Sequence, residues 1–311
     1  MSIDDFYTGI VQDMKAQGIP CAITGGLACV EFGIVQHTED CDLICAPEFA
    51  PQFFDFLCRK QWGGASCQYR GNLSPPLDTR WLKGGYTCHF LWPSDAEEQP
   101  FLDVFGVPPR VSTPWIADIQ GFLAGRHTVA EMKRTNRRKD WDQATALGIQ
   151  LLERGDKRGW LHIFDADALR DLLASISPGA DAMSQRPVLQ LAMENSPLLD
   201  RAVQTEIDFW TQLNRARLMI YADSIRPYAM AVRQDKRMAG VDLRNQHAIR
   251  LEYACELLPK NPIRDFGVDR LISQAIAAVA VGIDAALLKY LPDAKVNFSR
   301  EAYSSEDGEL I

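Results

Sequence analysis

The 311-residue chain is long enough for one large or two ordinary domains, and its 47% hydrophobic and 24% charged residues are those of a globular protein with a sizeable core. A net charge of −8 excludes a global basic field that would pull the protein onto nucleic acid or acidic lipid, so any such contact must come from a local patch. The eight cysteines sit mostly in apolar segments such as "CAI", "CDLIC" and "TCHFLW", with no C-x-x-C pair and no zinc spacing; together with an N-terminus that lacks a signal-peptide pattern, this points to a reducing cytoplasm rather than to secretion or a disulfide scaffold.

Ile3, Phe6, Ile10, Val11 and Met14 recur every three or four residues, which predicts an amphipathic helix over 3–17 stopped by Gly18 and Pro20. "CAIT" then reads as a short buried strand, and "LACVEFGIV" as a helix opening just after Gly25-Gly26. "CDLIC" is the next strand and "PEFAPQFFDFLCRK" the next helix, with Pro47 in its first turn. "SCQYR", "YTCHFLW" and "PFLDVFG" are three further strands, so the N-terminal half predicts an α/β fold with a sheet. Between them, "GNLSPPLDTRWLKGG" carries Pro-Pro and Gly-Gly pairs and reads as a loop or mobile hairpin, a candidate lid.

After "GVPPRV" the strand pattern stops. Helical spacing dominates from about 114 to 153, including the basic run "MKRTNRRKDWD", and the second half reads as wholly helical. The predicted division is a core over 1–110, a helical extension over 111–175 and a helical C-terminal domain over 176–311, with "SISPGADAMSQRP" as the most linker-like interior stretch. "LISQAIAAVAVGI" at 271–283 is too short to span a bilayer and reads as a buried helix, so no membrane contact is expected. The final "SREAYSSEDGELI" reads as a frayed acidic tail.

Chemistry concentrates in "GGLACVEFGIVQHTEDCD". Residues two apart on a strand face the same way, so Asp40 and Asp42 project side by side, and neighbouring carboxylates repel unless a cation sits between them. Hard oxygen donors at this spacing suit Mg²⁺. Asp103 lies on another predicted strand among apolar neighbours, where an acid without a partner is costly, and is the candidate third acid of a two-metal site. Gly25 and Gly26 let backbone approach a phosphate at the start of a helix.

The pattern apolar-Gly-Gly, thirteen residues, Asp-x-Asp and a later strand Asp resembles the nucleotidyltransferase fold of the DNA polymerase beta superfamily over roughly residues 20–105. With the downstream "KRTNRRKDWDQATALG", it looks most like the bacterial stand-alone enzymes of the abortive-infection toxin type. The resemblance implies a nucleotidyltransferase-like mixed sheet followed by helices, and transfer of NMP from an NTP to an acceptor hydroxyl with release of pyrophosphate. It implies Mg²⁺ on Asp40, Asp42 and Asp103, phosphate contacts from Gly25 and Gly26, and Asp103 as base or positioner. The acceptor would be RNA such as a tRNA end, a protein side chain or a small molecule, with an operon partner protein if the enzyme serves a toxin-antitoxin or defence system.

Each of these signals also has a plainer reading. Asp40 and Asp42 fit a polar strand edge, Gly25-Gly26 a simple turn, and Asp103 a buried ion pair with an arginine. The run from Lys133 to Lys139 places Lys133, Arg137 and Asp140 on one helical face; Lys133, Arg137 and Lys139 are candidate triphosphate contacts, or else a solvated face. Thr38 either caps a turn or touches phosphate. The five histidines fit no metal spacing and read as structural, and Trp210, Met219, Tyr221 and Tyr228 read as core. "LNRARL" and other basic helical segments would form either an acceptor face or a solvated surface. The rival to an enzyme is an inactive binding module, an antitoxin or adaptor built on the same fold.

Overall fold

The computed structural model describes residues 2–38, 40–94, 99–112 and 114–298; the acidic tail lies outside them. Ser2 and Asp5 cap each other across the first turn of α1 (Ile3–Ala16), whose Phe6, Ile10, Val11 and Met14 are buried. The chain continues through β1 (Cys21–Thr24), α2 (Gly25–Glu31), β2 (Cys41–Cys45), α3 (Ala50–Leu57), β3 (Gln61–Trp62), β4 (Ala65–Ser66) and β5 (Gln68–Tyr69). Next come α4 (Thr79–Lys83), β6 (Thr87–Leu91), β7 (Phe101–Phe105), β8 (Ile119–Gln120) and β9 (Leu123–Ala124). The rest is helical: α5 (Arg126–Met132), α6 (Arg138–Glu153), α7 (Ala166–Leu173), α8 (Ala180–Gln185), α9 (Val188–Met193), α10 (Leu199–Gln234), α11 (Leu243–Leu257), α12 (Pro262–Phe266) and α13 (Val268–Ala280).

The chain is thus a mixed α/β fold, with a sheet in its N-terminal half and helices dominating the remainder. Among the described residues the main sheet has seven strands in the order β5-β6-β7-β2-β1-β9-β8, and β3-β4 form a separate pair. β2-β7 and β1-β9 run parallel; the other neighbours are antiparallel. Strand alternation assigns the two faces. Cys88, Phe90, Leu102 and Val104 are buried in the core with α1, whereas His89, Asp103 and Phe105 lie on the opposite, partly open face.

Several elements differ from expectation. Strand pairing does not stop at 111: β8 and β9 extend the sheet beside β1, and two-residue strands about a glycine turn are too short to show alternation in sequence. The expected lid over 71–85 is packed. Trp81 and Leu82 of α4 are buried, and Ser74 O accepts from both Tyr228 and Arg250, so the prolines and glycines shape a docked segment. The linker-like 175–187 contains α8 and ends on a buried Arg186, ion-paired to Glu206 and donating to Trp160 O.

Helix α13 buries one face only, through Leu271, Ile272, Ala275 and Val279; its small alanines tolerate the exposed side. No described helix is long and apolar enough to cross a membrane. The basic segments "LNRARL" and "RPYAMAVRQ" are parts of one 36-residue helix, α10, which continues through Pro227. On it Trp210 and Tyr228 are buried as expected, whereas Met219 is exposed.

The Arg186–Glu206 pair ties α10 to the segment before α9 in a nearly dry interior, with both side chains about 2% exposed. Removing one partner from such a pair leaves an uncompensated buried charge, which costs about 3–5 kcal/mol. Glu206→Ala is therefore expected to lower unfolding stability by that amount in urea titration, and Glu206→Gln by less, since an amide oxygen still accepts from Arg186.

Candidate active site

The registers place a row of polar residues straight across the sheet. Thr24 pairs with Asp42, Asp42 with Asp103, and Asp103 with His89, on β1, β2, β7 and β6 in turn. Parallel in-register pairing makes Asp42 and Asp103 immediate neighbours on the same face. Asp40 precedes β2 and accepts from Thr38 Oγ1 at 3.3 Å. The three predicted acids line one cavity of about 540 Å³ together with Gly25, Gly26 and Thr38.

The two glycines have a local reason to be glycine. Gly25 has φ +63°, and a Cβ there would overlap the Asp42 carboxylate; a Cβ on Gly26 would overlap Thr38 Oγ1. The strand-to-helix turn therefore packs directly on the acid and the hydroxyl, leaving both at the cavity wall.

Asp42 sits in a strongly perturbing environment. Burial, then Asp40 and Asp103, raise its pKa from 3.8 to about 7, against the opposing pull of Lys133 and Arg137. Asp103 is engaged: its Oδ1 accepts from Arg70 Nη2 at 2.5 Å and meets His89 Nδ1 at 2.8 Å. Among the described residues no three His, Cys, Asp or Glu side chains are placed to enclose an ion; the acids form an open row.

The facing wall is basic. The predicted single helix through 133–141 is broken: α5 ends at Met132, α6 begins at Arg138, and the loop between them is organised by Asp140. Asp140 is fully buried and accepts from Thr135 at 2.5 Å, Arg137 at 2.7 Å and Lys133 at 3.3 Å. Burial alone would raise its pKa, but Lys133, Thr135 and Arg137 outweigh that and hold it below the usual carboxylate value. Lys133, Arg137 and Lys139 all line the cavity, Lys133 and Arg137 from this folded loop and Lys139 from the first turn of α6 rather than from one helical face.

Residues beyond the predicted set complete the site. Arg110, Asn136, Asn214 and Arg217 line the same cavity. Arg110 is buried with φ +65° and donates to Met132 O and, at 2.5 Å, to Asn214 Oδ1. Burial, Arg217 and Arg134 all disfavour its charge. Asn214 bonds Asn136, so α10 closes the cavity over the sheet. Arg217 sits over the Tyr221 ring at 5.0 Å and has no carboxylate partner among the described residues. "LNRARL" signalled it in sequence; nothing signalled Arg110, because its role depends on an unusual backbone angle.

The histidines divide. His127 and His162 form a buried pair at 2.8 Å and His247 stacks on Phe54, both structural. His37 lines the cavity and His89 contacts Asp103, positions that metal-ligand spacing could not reveal.

A scan against models of known protein families finds no match to this chain, and a search of curated proteins finds none either.

This geometry has two measurable outcomes. Gly25→Ala must both adopt a left-handed backbone and displace Asp42, and is expected to lower the melting temperature by several degrees, whereas Gly33→Ala, left-handed but with open space around it, should cost less. Because the folded state raises the Asp42 pKa, its native form binds more protons than the unfolded chain between about pH 4 and pH 7, so this group makes stability fall as pH rises through that window. In chelator-treated protein, Asp42→Asn is expected to raise the melting temperature at pH 8 and to make no difference below about pH 4, as followed by circular dichroism.

Proposed function

We propose that the protein is a Mg²⁺-dependent nucleotidyltransferase that moves NMP from an NTP to an acceptor hydroxyl. One observation carries this reading: Asp42 and Asp103, in register on adjacent parallel strands with Asp40 beside them, face a basic wall across a cavity of nucleotide size. Acids on one side and cations on the other suit a polyphosphate bound with its metal. Either alone would not.

The donor set fits a hard divalent cation. All three groups are carboxylates; burial, and after it the charges of Asp40 and Asp103, raise the pKa of Asp42, a shift that a bound cation would oppose. Asp40 and Asp42, joined by Asp103, would hold Mg²⁺ in a two-metal site, and the bound ions would neutralise developing charge on the phosphates and lower the pKa of the acceptor hydroxyl.

The chain's own groups supply the rest. Lys133, Arg137, Lys139 and Arg217 would bind the triphosphate, with Asp140 fixing the first two in direction. Gly25 and Gly26 keep Asp42 and Thr38 at the wall. Asp103, oriented by Arg70 and His89, would position the acceptor and take its proton. The acceptor oxygen bonds the α-phosphorus, the α–β phosphoanhydride bond breaks, and pyrophosphate leaves.

A second reading draws on Asp103 itself. Its ion pair with Arg70 is what a binding module that holds NTP without turnover would also contain. This module would serve as an antitoxin or adaptor scaffold.

The deciding experiment incubates the protein with Mg²⁺ and each NTP labelled at the α-phosphate, with total tRNA, cell lysate or small-molecule acceptors. Transfer of label is expected, falling about 100-fold or more in Asp40→Asn and Asp42→Asn. NTP binding without transfer to any acceptor would favour the scaffold. Absence of NTP binding would remove both readings.

A further inference from the structure

A second cavity of about 330 Å³ adjoins the first and shares Phe105, Arg217 and Leu218 with it. Its other walls come from both halves of the chain: Thr87 and His89 from β6, and Tyr221, Ala222 and Ile225 from α10. His89 stands at the junction, because its Nδ1 meets the carboxylate of Asp103, which lines the first cavity. A group lodged in the second cavity therefore lies one side chain, His89, away from Asp103.

The lining is mainly apolar and aromatic. Tyr86 packs edge-on against Tyr221 with ring centroids 5.0 Å apart. Two of the large apolar side chains left in solvent belong to this cavity, Leu73 at 62% and Leu218 at 47% exposure. Exposed leucines beside a concave apolar surface are a feature of ligand sites, and the volume is at the small end of their range, enough for one ring-sized group.

The charge pattern narrows the occupant. Among the described residues no carboxylate lines the cavity, so a polycationic acceptor finds no partner in it. The guanidinium that does line it, Arg217, is shared with the larger cavity, so among the described residues the second cavity has no lysine or arginine of its own to hold a polyanion. What remains is an uncharged hydroxyl compound.

We infer that this cavity is the acceptor subsite and that it takes a hydroxyl borne on an uncharged aromatic frame, such as a phenol or a tyrosyl side chain. The inference rests on the nucleotidyltransferase reading for the fate of that hydroxyl. Transfer would bond the phenolic oxygen to the α-phosphorus of the NTP, break the α–β phosphoanhydride bond, release pyrophosphate, and pass the hydroxyl proton to Asp103 and on to solvent. The ring would occupy the apolar walls while its oxygen reaches the acid row.

The test uses the full chain and N-acetyltyrosinamide as probe, with binding followed by saturation-transfer NMR and NTP binding followed separately by calorimetry. Ala222 and Leu73 are exposed and line only the second cavity, so Ala222→Trp and Leu73→Asp should block it without disturbing the fold. Saturable probe binding that weakens about 10-fold or more in both variants, with NTP affinity within twofold of the parent, is the expected result. If NTP binds but the probe does not, or the probe binds equally well to Ala222→Trp, the inference is overturned and the nucleotidyltransferase reading survives. Preferential binding of spermidine or of a short RNA end in this cavity would overturn the assigned class. Probe binding without any NTP binding would keep the pocket and remove the nucleotide reading.

Discussion

Like charge held at close quarters is the constraint around which the molecule is arranged. Asp42 and Asp103 are neighbours because β2 and β7 pair in parallel and in register, and a one-residue slip would send one of them into the core. Cys41, Leu43, Leu102 and Val104 enforce that register by burying the other face. The hydrophobic alternation that folds the sheet thus also brings the acids together. Burial, and then the charges of Asp40 and Asp103, raise the Asp42 pKa to about 7, and Lys133 and Arg137 across the cavity oppose that rise.

That compensation is itself built rather than free. Lys133 and Arg137 would repel each other and scatter if left on a loop, and Asp140 gathers them with Thr135 from a fully buried position at the start of α6. An acid that takes no place in the cavity lining therefore sets the shape of its basic wall. On the opposite side, Arg70 and His89 do the same for Asp103. Both walls are held from behind by hydrogen-bonding partners, the Asp140 carboxylate for the cations and the Arg70 guanidinium for Asp103.

The strands and their acids were legible because their signals are local: alternation in "FLDVF", an apolar run in "CDLIC", and a glycine pair at a fixed distance from Asp-x-Asp. The helix break inside the basic run was not, because charge spacing of three and four looks helical whether or not the chain turns at Thr135–Asn136. β8 and β9 were hidden by their length. Proline and glycine in 71–85 and 175–187 suggested loops, but Trp81, Ser74 and Arg186 find partners there that are far away in sequence. Arg110, Asn214 and His89 reach the site only through tertiary contact, so no spacing rule could have gathered them.

Helix α10 runs for 36 residues, about 54 Å at the rise of an α-helix. Along that length it contributes Leu199 and Val203 to one hydrophobic cluster, Phe209 and Trp210 to a second, and Tyr228 and Val232 to a third. Between the last two it places Asn214, Arg217 and Leu218 on the cavity. From Leu199 through Leu218 the rod cannot shift at one station without loading the next, whereas Pro227, which donates no backbone hydrogen bond, marks the approach to the third cluster. Loosening of either of the first two clusters would therefore be felt, through the same stretch of helix, as a change in the shape of the cavity it closes.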